Sequence, residues 1–158
     1  MTTILEGQQA GVKAVRRLIE EGFSGGNVDV VDEVCAQELV EHQDGFDPRN
    51  REGVKRGIAF LHRLAPDVKV TIEDLAVDGD KVWLRARARG THTGELLGGP
   101  TGRSFDICVM DVCRLSQGRI VEHWGVPDRF AQLQQIGLLP SPDGPPDRNQ
   151  SAAGGSGS

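Results

Sequence analysis

At 158 residues, with 37% hydrophobic and 26% charged residues, the chain has the composition of one soluble globular domain. Its net charge of −5 argues against nucleic acid and anionic membrane surfaces as partners, since both are bound by clustered Lys and Arg. No apolar run approaches the roughly 20 residues that span a bilayer, and no signal peptide is visible at the N-terminus. We therefore expect a cytoplasmic protein whose three cysteines stay reduced, as their spacing fits neither CxxC nor a metal site.

Three helices are predicted in the first part of the chain. Apolar residues recur every three or four positions over 12–23, over 30–35 and over 54–65. The first helix ends at Gly25 and Gly26, and the third is stopped by Pro66. Between the second and third helices, residues 42–50 are polar and read as a loop.

The hydrophobic period then changes from 3.6 to 2, which predicts a meander of antiparallel strands. The pattern starts at Val68, turns at residues 78–80, and continues through strands over 81–93, 104–115 and 119–124. A short helix between Pro127 and Gly137 closes the pattern.

Helices followed by a meander predict an α+β fold, with three N-terminal helices packed on a curved antiparallel sheet and a short C-terminal helix. The concave face of such a sheet, covered by helices, forms a cone with one open end where a small ligand would bind. We expect a single domain over residues 1–139. Residues 140–158 are rich in Pro, Gly and Ser and predict a disordered tail whose end, SAAGGSGS, resembles an appended flexible linker.

One aspartate, Asp111, interrupts an otherwise apolar strand face made of Phe105, Ile107, Val109 and Cys113. A buried carboxylate without a partner would be costly, so it needs a donor, and His123 on the adjacent strand is the obvious one. Such a pair could abstract a proton α to a carbonyl or protonate a carbonyl oxygen. The alternative is a structural pair that only fixes the strand register.

Other side chains are candidates for the ligand site. His42, at the end of the second helix, is a further catalytic candidate if it faces the mouth of the pocket rather than solvent. His92 either contacts the ligand or makes a backbone hydrogen bond within its Gly-rich loop. Trp124 should face away from His123, under a helix or in a dimer contact, and is retained as a ligand contact. Candidate apolar walls are Phe23, Phe60 and Phe105.

Motifs for metal and nucleotide binding are missing from the sequence. There is no HxH or HExxH spacing, and no P-loop or dinucleotide fingerprint. We therefore predict no metal and no cofactor.

Several segments resemble the SnoaL-like polyketide cyclases of the nuclear-transport-factor-2-like (NTF2-like) superfamily. They are GTHTGELLG at residues 90–98, MDVCRLSQGRIVEHW at 110–124, Pro127-Asp128, and LQQIG at 133–137. The resemblance covers about residues 8–139. It implies an NTF2-like cone and an enzyme of secondary metabolism, such as an ester cyclase. The implied activity is an aldol-type ring closure by acid/base catalysis, without a cofactor, on a polyketide-like or polycyclic carbonyl substrate.

The sequence departs from the family pattern at the acid/base residues. In these cyclases a carboxylate that follows the His-X pair of the last strand acts as the acid/base, supported by a histidine on the neighbouring strand. Those two positions are Gly125 and Asp111 here, whereas His123 and His92 do match. The sequence therefore predicts that Asp111 and His123 supply the acid/base, and that Gly125 leaves space for the substrate.

Alternative functions on the same fold remain open. An isomerase of the steroid type is disfavoured because the chain has no Tyr for its oxyanion hole. An epoxide hydrolase is disfavoured because Asp106 and Asp111 should face opposite sides of the sheet. The loss of the carboxylate at Gly125 would also suit a non-catalytic binding or accessory protein.

The outer face of the predicted sheet carries Arg85, Arg87 and Arg89 in alternation. The resemblance implies a homodimer through this exposed sheet face. Alternatively, the arginines form salt bridges across the strands to Glu73 and similar residues.

Overall fold

The computed structural model describes residues 2–141 and shows four α-helices and one five-stranded sheet in that range. The helices are α1 (Thr2–Arg17), which continues into a π-helical segment (Leu18–Ser24), α2 (Val30–Val34), α3 (Arg51–Leu64) and α4 (Arg129–Gln135). The strands are β1 (Cys35–Glu41), β2 (Lys69–Asp78), β3 (Lys81–Thr91), β4 (Ser104–Ser116) and β5 (Arg119–Pro127). The predicted α+β fold is confirmed. Residues 142–158, most of the predicted tail, lie outside the described residues.

The helices form where the periodicity places them, because their apolar faces are buried against the sheet. Val15, Leu18 and Ile19 of α1 and its π-helical continuation are almost completely buried. The side chain of Asn50 caps α3 by accepting a hydrogen bond from the backbone N–H of Glu52 at 2.9 Å. Among the described residues, no helix is long and apolar enough to cross a membrane.

The sheet has the order β1-β5-β4-β3-β2, and the last four strands form the expected antiparallel meander. Its register pairs Asp111 with Gly125 and Cys113 with His123. Side chains that are paired across antiparallel strands point to the same face, so Asp111 and His123 both face the helices. The main core lies between this face and helices α1 to α3.

The first strand was not predicted. The sequence favours a helix that includes Cys35, because its apolar residues Val30, Val31, Val34 and Cys35 follow a helical spacing. In the structure α2 ends at Val34, and β1 pairs with β5 in parallel, with Glu41 opposite His123. The free edge of β5 offers backbone hydrogen bonds to this segment, and that tertiary pairing overrides the local helical spacing.

Candidate active site

A cavity lies between the helices and the concave face of the sheet, at the place the sequence predicts. The space that a water-sized sphere can enter is about 50 Å³, and the whole space between the walls, including the open mouth, is about 530 Å³. Most lining side chains are apolar. The polar ones are Gln43, Asp111, Arg129 and Gln132. The cavity opens towards a wider outer recess that contains Phe60 and Leu97.

Three buried ionisable side chains form a row beneath one wall of the cavity. His123 on β5 lies between Glu41 on β1 and Asp111 on β4, and all three are at least 96% buried. Its Nδ1 is 2.8 Å from Glu41 Oε2, a hydrogen bond, whereas its Nε2 is 3.6 Å from Asp111 Oδ2, an ion-pair distance. The predicted proximity of Asp111 and His123 is therefore present, with Glu41 as an additional partner.

The electrostatics of this row favour a charged imidazole. Burial alone would lower the pKa of His123, but the carboxylates of Asp111 and Glu41 outweigh it and raise the pKa to about 10. His123 is therefore an imidazolium at neutral pH, and its Nδ1–H donates a hydrogen bond to the Glu41 carboxylate. A cation with this pKa is a poor base, so the proton-accepting group of the row is a carboxylate.

Asp111 has one carboxylate oxygen free for a ligand. Asp111 lines the cavity, and its Oδ1 has no hydrogen-bond partner within residues 2–141. Buried polar atoms are nearly always satisfied, so an unpaired acceptor on a residue that lines a cavity marks a position for a ligand group or water. Neither Glu41 nor His123 is among the lining residues.

The space beside Gly125 is already filled. A Cβ atom at this position would overlap Oε1 of the buried Gln43 and would lie 2.9 Å from Asp111 Oδ1. The space expected to receive a substrate beside Gly125 is occupied by the Gln43 amide in this structure. A larger side chain at 125 requires Gln43 to move.

Comparison with known proteins identifies the family. The family model of the SnoaL-like polyketide cyclases matches residues 13–136. The chain belongs to the SnoaL-like polyketide cyclase family.

Two curated relatives cover most of this SnoaL-like chain. The aklanonic acid methyl ester cyclase DauD of Streptomyces sp. (strain C5) is 28% identical over 152 residues, covering 88% of this chain and 92% of that protein. The nogalonic acid methyl ester cyclase of Streptomyces nogalater is 29% identical over 125 residues, covering 73% and 89%. These relatives and the family model show an enzyme of the cyclase type.

Solved structures agree with this assignment. IdmH of Streptomyces antibioticus, a candidate polyketide cyclase, superposes with a TM-score of 0.72 at 34% identity, covering 80% of this chain and 98% of IdmH. A candidate polyketide cyclase of Bacillus cereus gives a TM-score of 0.73 at 26% identity and covers 82% of both chains.

Within this cyclase fold, two of the predicted site residues lie on the outer face of the sheet, away from the cavity. The His42 and Trp124 rings stack with centroids 4.8 Å apart, and His42 Nε2 donates to Glu122 Oε1 at 2.8 Å. His42 directly follows an inward-facing Glu41, and Trp124 directly follows an inward-facing His123, so both point outward. Neither ring lines the cavity, so this arrangement does not support the predictions that His42 is catalytic and that Trp124 contacts the ligand.

The remaining predicted contacts divide between the cavity and the core. Phe23 lines the cavity and stacks on Phe46, with centroids 6.3 Å apart. Phe60 lies in the outer recess, and Phe105 is buried against Gly90 rather than lining the cavity.

His92 fixes its own loop. It is fully buried, its Nε2 donates to the Leu96 carbonyl at 3.0 Å, and its Nδ1 lies 3.1 Å from Thr101 Oγ1. Both ring nitrogens are used within the loop, which favours the alternative prediction for His92, a hydrogen bond inside its Gly-rich loop, over a ligand contact.

Sequence reasoning missed four polar residues of the site: Glu41, Gln43, Arg129 and Gln132. Once β1 is known, the alternation of Leu39, Glu41 and Gln43 indicates that all three face inward. No comparable signal was available for the two residues on α4, since a seven-residue helix has too few turns for its buried face to be read.

Proposed function

We propose that this cyclase closes a ring in a polyketide-like or polycyclic carbonyl substrate by acid/base catalysis without a cofactor, with Asp111 as the base. The observation that carries the proposal is the unpaired Oδ1 of a buried carboxylate whose side chain belongs to the lining of a mainly apolar cavity. Carboxylates in such environments are enriched at catalytic sites. A cytoplasmic location is part of the proposal.

The proposed reaction forms one C–C bond, and the protein has to supply only proton transfers. Asp111 accepts the proton α to one carbonyl, the resulting enolate carbon attacks a second carbonyl, and one C–C bond forms. The new alkoxide oxygen then takes up a proton from the Asp111 carboxyl group. Substrate and product are isomers, so no oxidant, reductant or hydride carrier is consumed.

His123 and Glu41 support this chemistry without contacting the substrate. The His123 imidazolium lies 3.6 Å from Asp111 and is fixed by its hydrogen bond to Glu41. We assign both as positioning residues that orient the Asp111 carboxylate towards the cavity. Phe23 and other apolar walls would hold the flat part of the substrate and exclude water.

Incubation with nogalonic acid methyl ester and aklanonic acid methyl ester, the compounds named for two relatives, tests this function. We expect at least one to be converted to a product of unchanged mass, detected by liquid chromatography with mass spectrometry, in buffer with EDTA and no added cofactor. A carbon-bound deuterium α to the carbonyl should exchange or slow the reaction.

Binding of both esters without turnover would contradict the proposal and would favour the non-catalytic binder. Incorporation of labelled oxygen from water into the product would contradict it as well, because that outcome is typical of a hydrolase.

The outer face of the sheet supports a homodimer. Trp83, Met110 and Val126 lie there with 47%, 50% and 68% of their surface exposed, and together form an apolar patch. The neighbouring arginines pair within the sheet, as the alternative reading expected: Arg87 with Glu73 at 2.9 Å and Arg89 with Asp106 at 2.9 Å. The proposed contact therefore depends on the apolar patch rather than on free arginines.

Size-exclusion chromatography with light scattering should give twice the chain mass for the wild type. The double variant Trp83→Glu/Val126→Glu should be monomeric, because burying two carboxylates at an interface is unfavourable. Val77→Glu is the matched control: Val77 is 41% exposed but pairs with the inward-facing Val82 on the other side of the sheet. A monomeric wild type, or dissociation by Val77→Glu alone, would contradict the dimer.

A further inference from the structure

Two polar side chains on the α4 side of the cavity have no part in the proton transfers proposed for Asp111. Arg129 reaches both the cavity and the outer recess, and its Nη1 donates to Gln132 Oε1 at 2.9 Å. Among residues 2–141, Arg129 forms no ion pair with a carboxylate. By contrast, Arg87 and Arg114 on the outer face of the sheet each have an acidic partner within 3.0 Å.

Gln132 has a free donor in this position. It is 2% exposed, and its Nε2 has no hydrogen-bond partner among the described residues. The guanidinium of Arg129 can only donate, so the oxygen of the amide must face Arg129 and the NH₂ group must be the free end. A buried NH₂ without an acceptor is unfavourable unless a ligand or water oxygen accepts from it.

The environment also favours a negative charge beside Arg129. The surrounding walls desolvate the guanidinium and lower the pKa of Arg129, although part of the side chain remains exposed. An anionic oxygen at this point would offset that desolvation and would accept from both Arg129 and Gln132.

The cavity thus has complementary ends. Asp111 presents an unpaired acceptor on the sheet side, and Gln132 presents an unpaired donor on the α4 side, next to the Arg129 cation. We propose that Arg129 and Gln132 form an oxyanion subsite, which binds the substrate oxygen that carries negative charge and thereby orients the substrate against Asp111. The identity of the ligand as the substrate rests on the proposed ring-closure function.

Binding of two matched probes tests the subsite without any turnover. The probes are anthraquinone-2-carboxylate and anthraquinone-2-carboxamide, which share a shape and differ in charge, and affinities are measured by isothermal titration calorimetry at low salt. The wild-type chain should bind the carboxylate at least about 10-fold more tightly than the amide, the range expected for hydrogen bonds to a charged group.

Two variants should abolish this preference. Arg129→Gln removes the cation. Gln132→Glu keeps the shape of the side chain but replaces the free donor by an oxygen and pairs internally with Arg129. Arg56→Gln is the matched control, because Arg56 lines only the outer recess, where it donates to the Asp47 carbonyl at 3.3 Å. It should keep the preference.

Thermal melts show whether each variant is folded. If Arg129→Gln does not fold, the result for Gln132→Glu decides whether the subsite exists. Equal affinities in the wild type, no measurable binding of the carboxylate, or an unchanged preference in folded Arg129→Gln or Gln132→Glu would overturn the subsite. Failure of ring closure with an intact carboxylate preference would instead overturn the proposed function and leave the subsite standing.

Discussion

Asp111→Asn should lower the rate of ring closure by about 10²- to 10⁴-fold, the contribution typical of a positioned general base. The amide has the size of the carboxylate but cannot accept a proton at neutral pH. Substrate affinity should change little, because the apolar walls and the α4 side of the cavity are untouched. The loss should therefore appear in kcat rather than in KM.

Asp106→Asn is the matched control for this substitution. Asp106 lies five residues earlier on β4 but points to the outer face, where it pairs with Arg87 and Arg89. Its activity should be close to that of the wild type. Full turnover by Asp111→Asn, or an equal loss in Asp106→Asn, would exclude Asp111 as the base, and circular dichroism shows whether each variant keeps the fold.

The stability of the chain should fall as the pH rises from about 6.5 to 10, because folding raises the pKa of His123 to about 10. The folded state holds this proton more tightly than the unfolded chain, whose histidine has an ordinary pKa. The stabilisation is therefore complete below pH 6.5 and is lost as the pH passes through 10. Over that interval the free energy of unfolding should fall by about 3 to 5 kcal/mol.

Urea unfolding at pH 6, 7.5 and 9 measures how the free energy of unfolding depends on pH. The variant His123→Gln shows how much of this dependence comes from His123. Burial also raises the pKa values of the Cys35 and Cys113 thiols, which lowers stability only above about pH 9. Both thiols are present in the wild type and in His123→Gln, so they do not affect the comparison. His123→Gln should be less stable at pH 6 and nearly flat up to pH 9. His62→Gln, which removes only a hydrogen bond to the Phe23 carbonyl, should keep the wild-type slope. A flat wild-type profile would rule out the buried imidazolium.

The sequence predicts the meander and the approach of Asp111 to His123 because strand alternation is a local signal. It does not predict Glu41, since the pairing of β1 with β5 joins residues 82 positions apart and no local pattern encodes it. The same missing strand explains why the sequence does not show that His42 points outward, since the direction of His42 depends on its position after Glu41. Because β1 was not predicted, the inward direction of Gln43 was missed as well. The sequence therefore does not show that the Gln43 amide fills the space beside Gly125.

The parallel pairing of β1 with β5 also has a consequence for how the molecule is made. β1 lies at the edge of the sheet and has β5 as its neighbour there, so on the ribosome it emerges about 80 residues before the strand it pairs with. The closure of so long a loop is entropically costly, and the local hairpins β2–β3 and β3–β4 should form first. The row of Glu41, His123 and Asp111 is therefore completed at the end of folding, so a chain interrupted before β5 contains Asp111 but no oriented site.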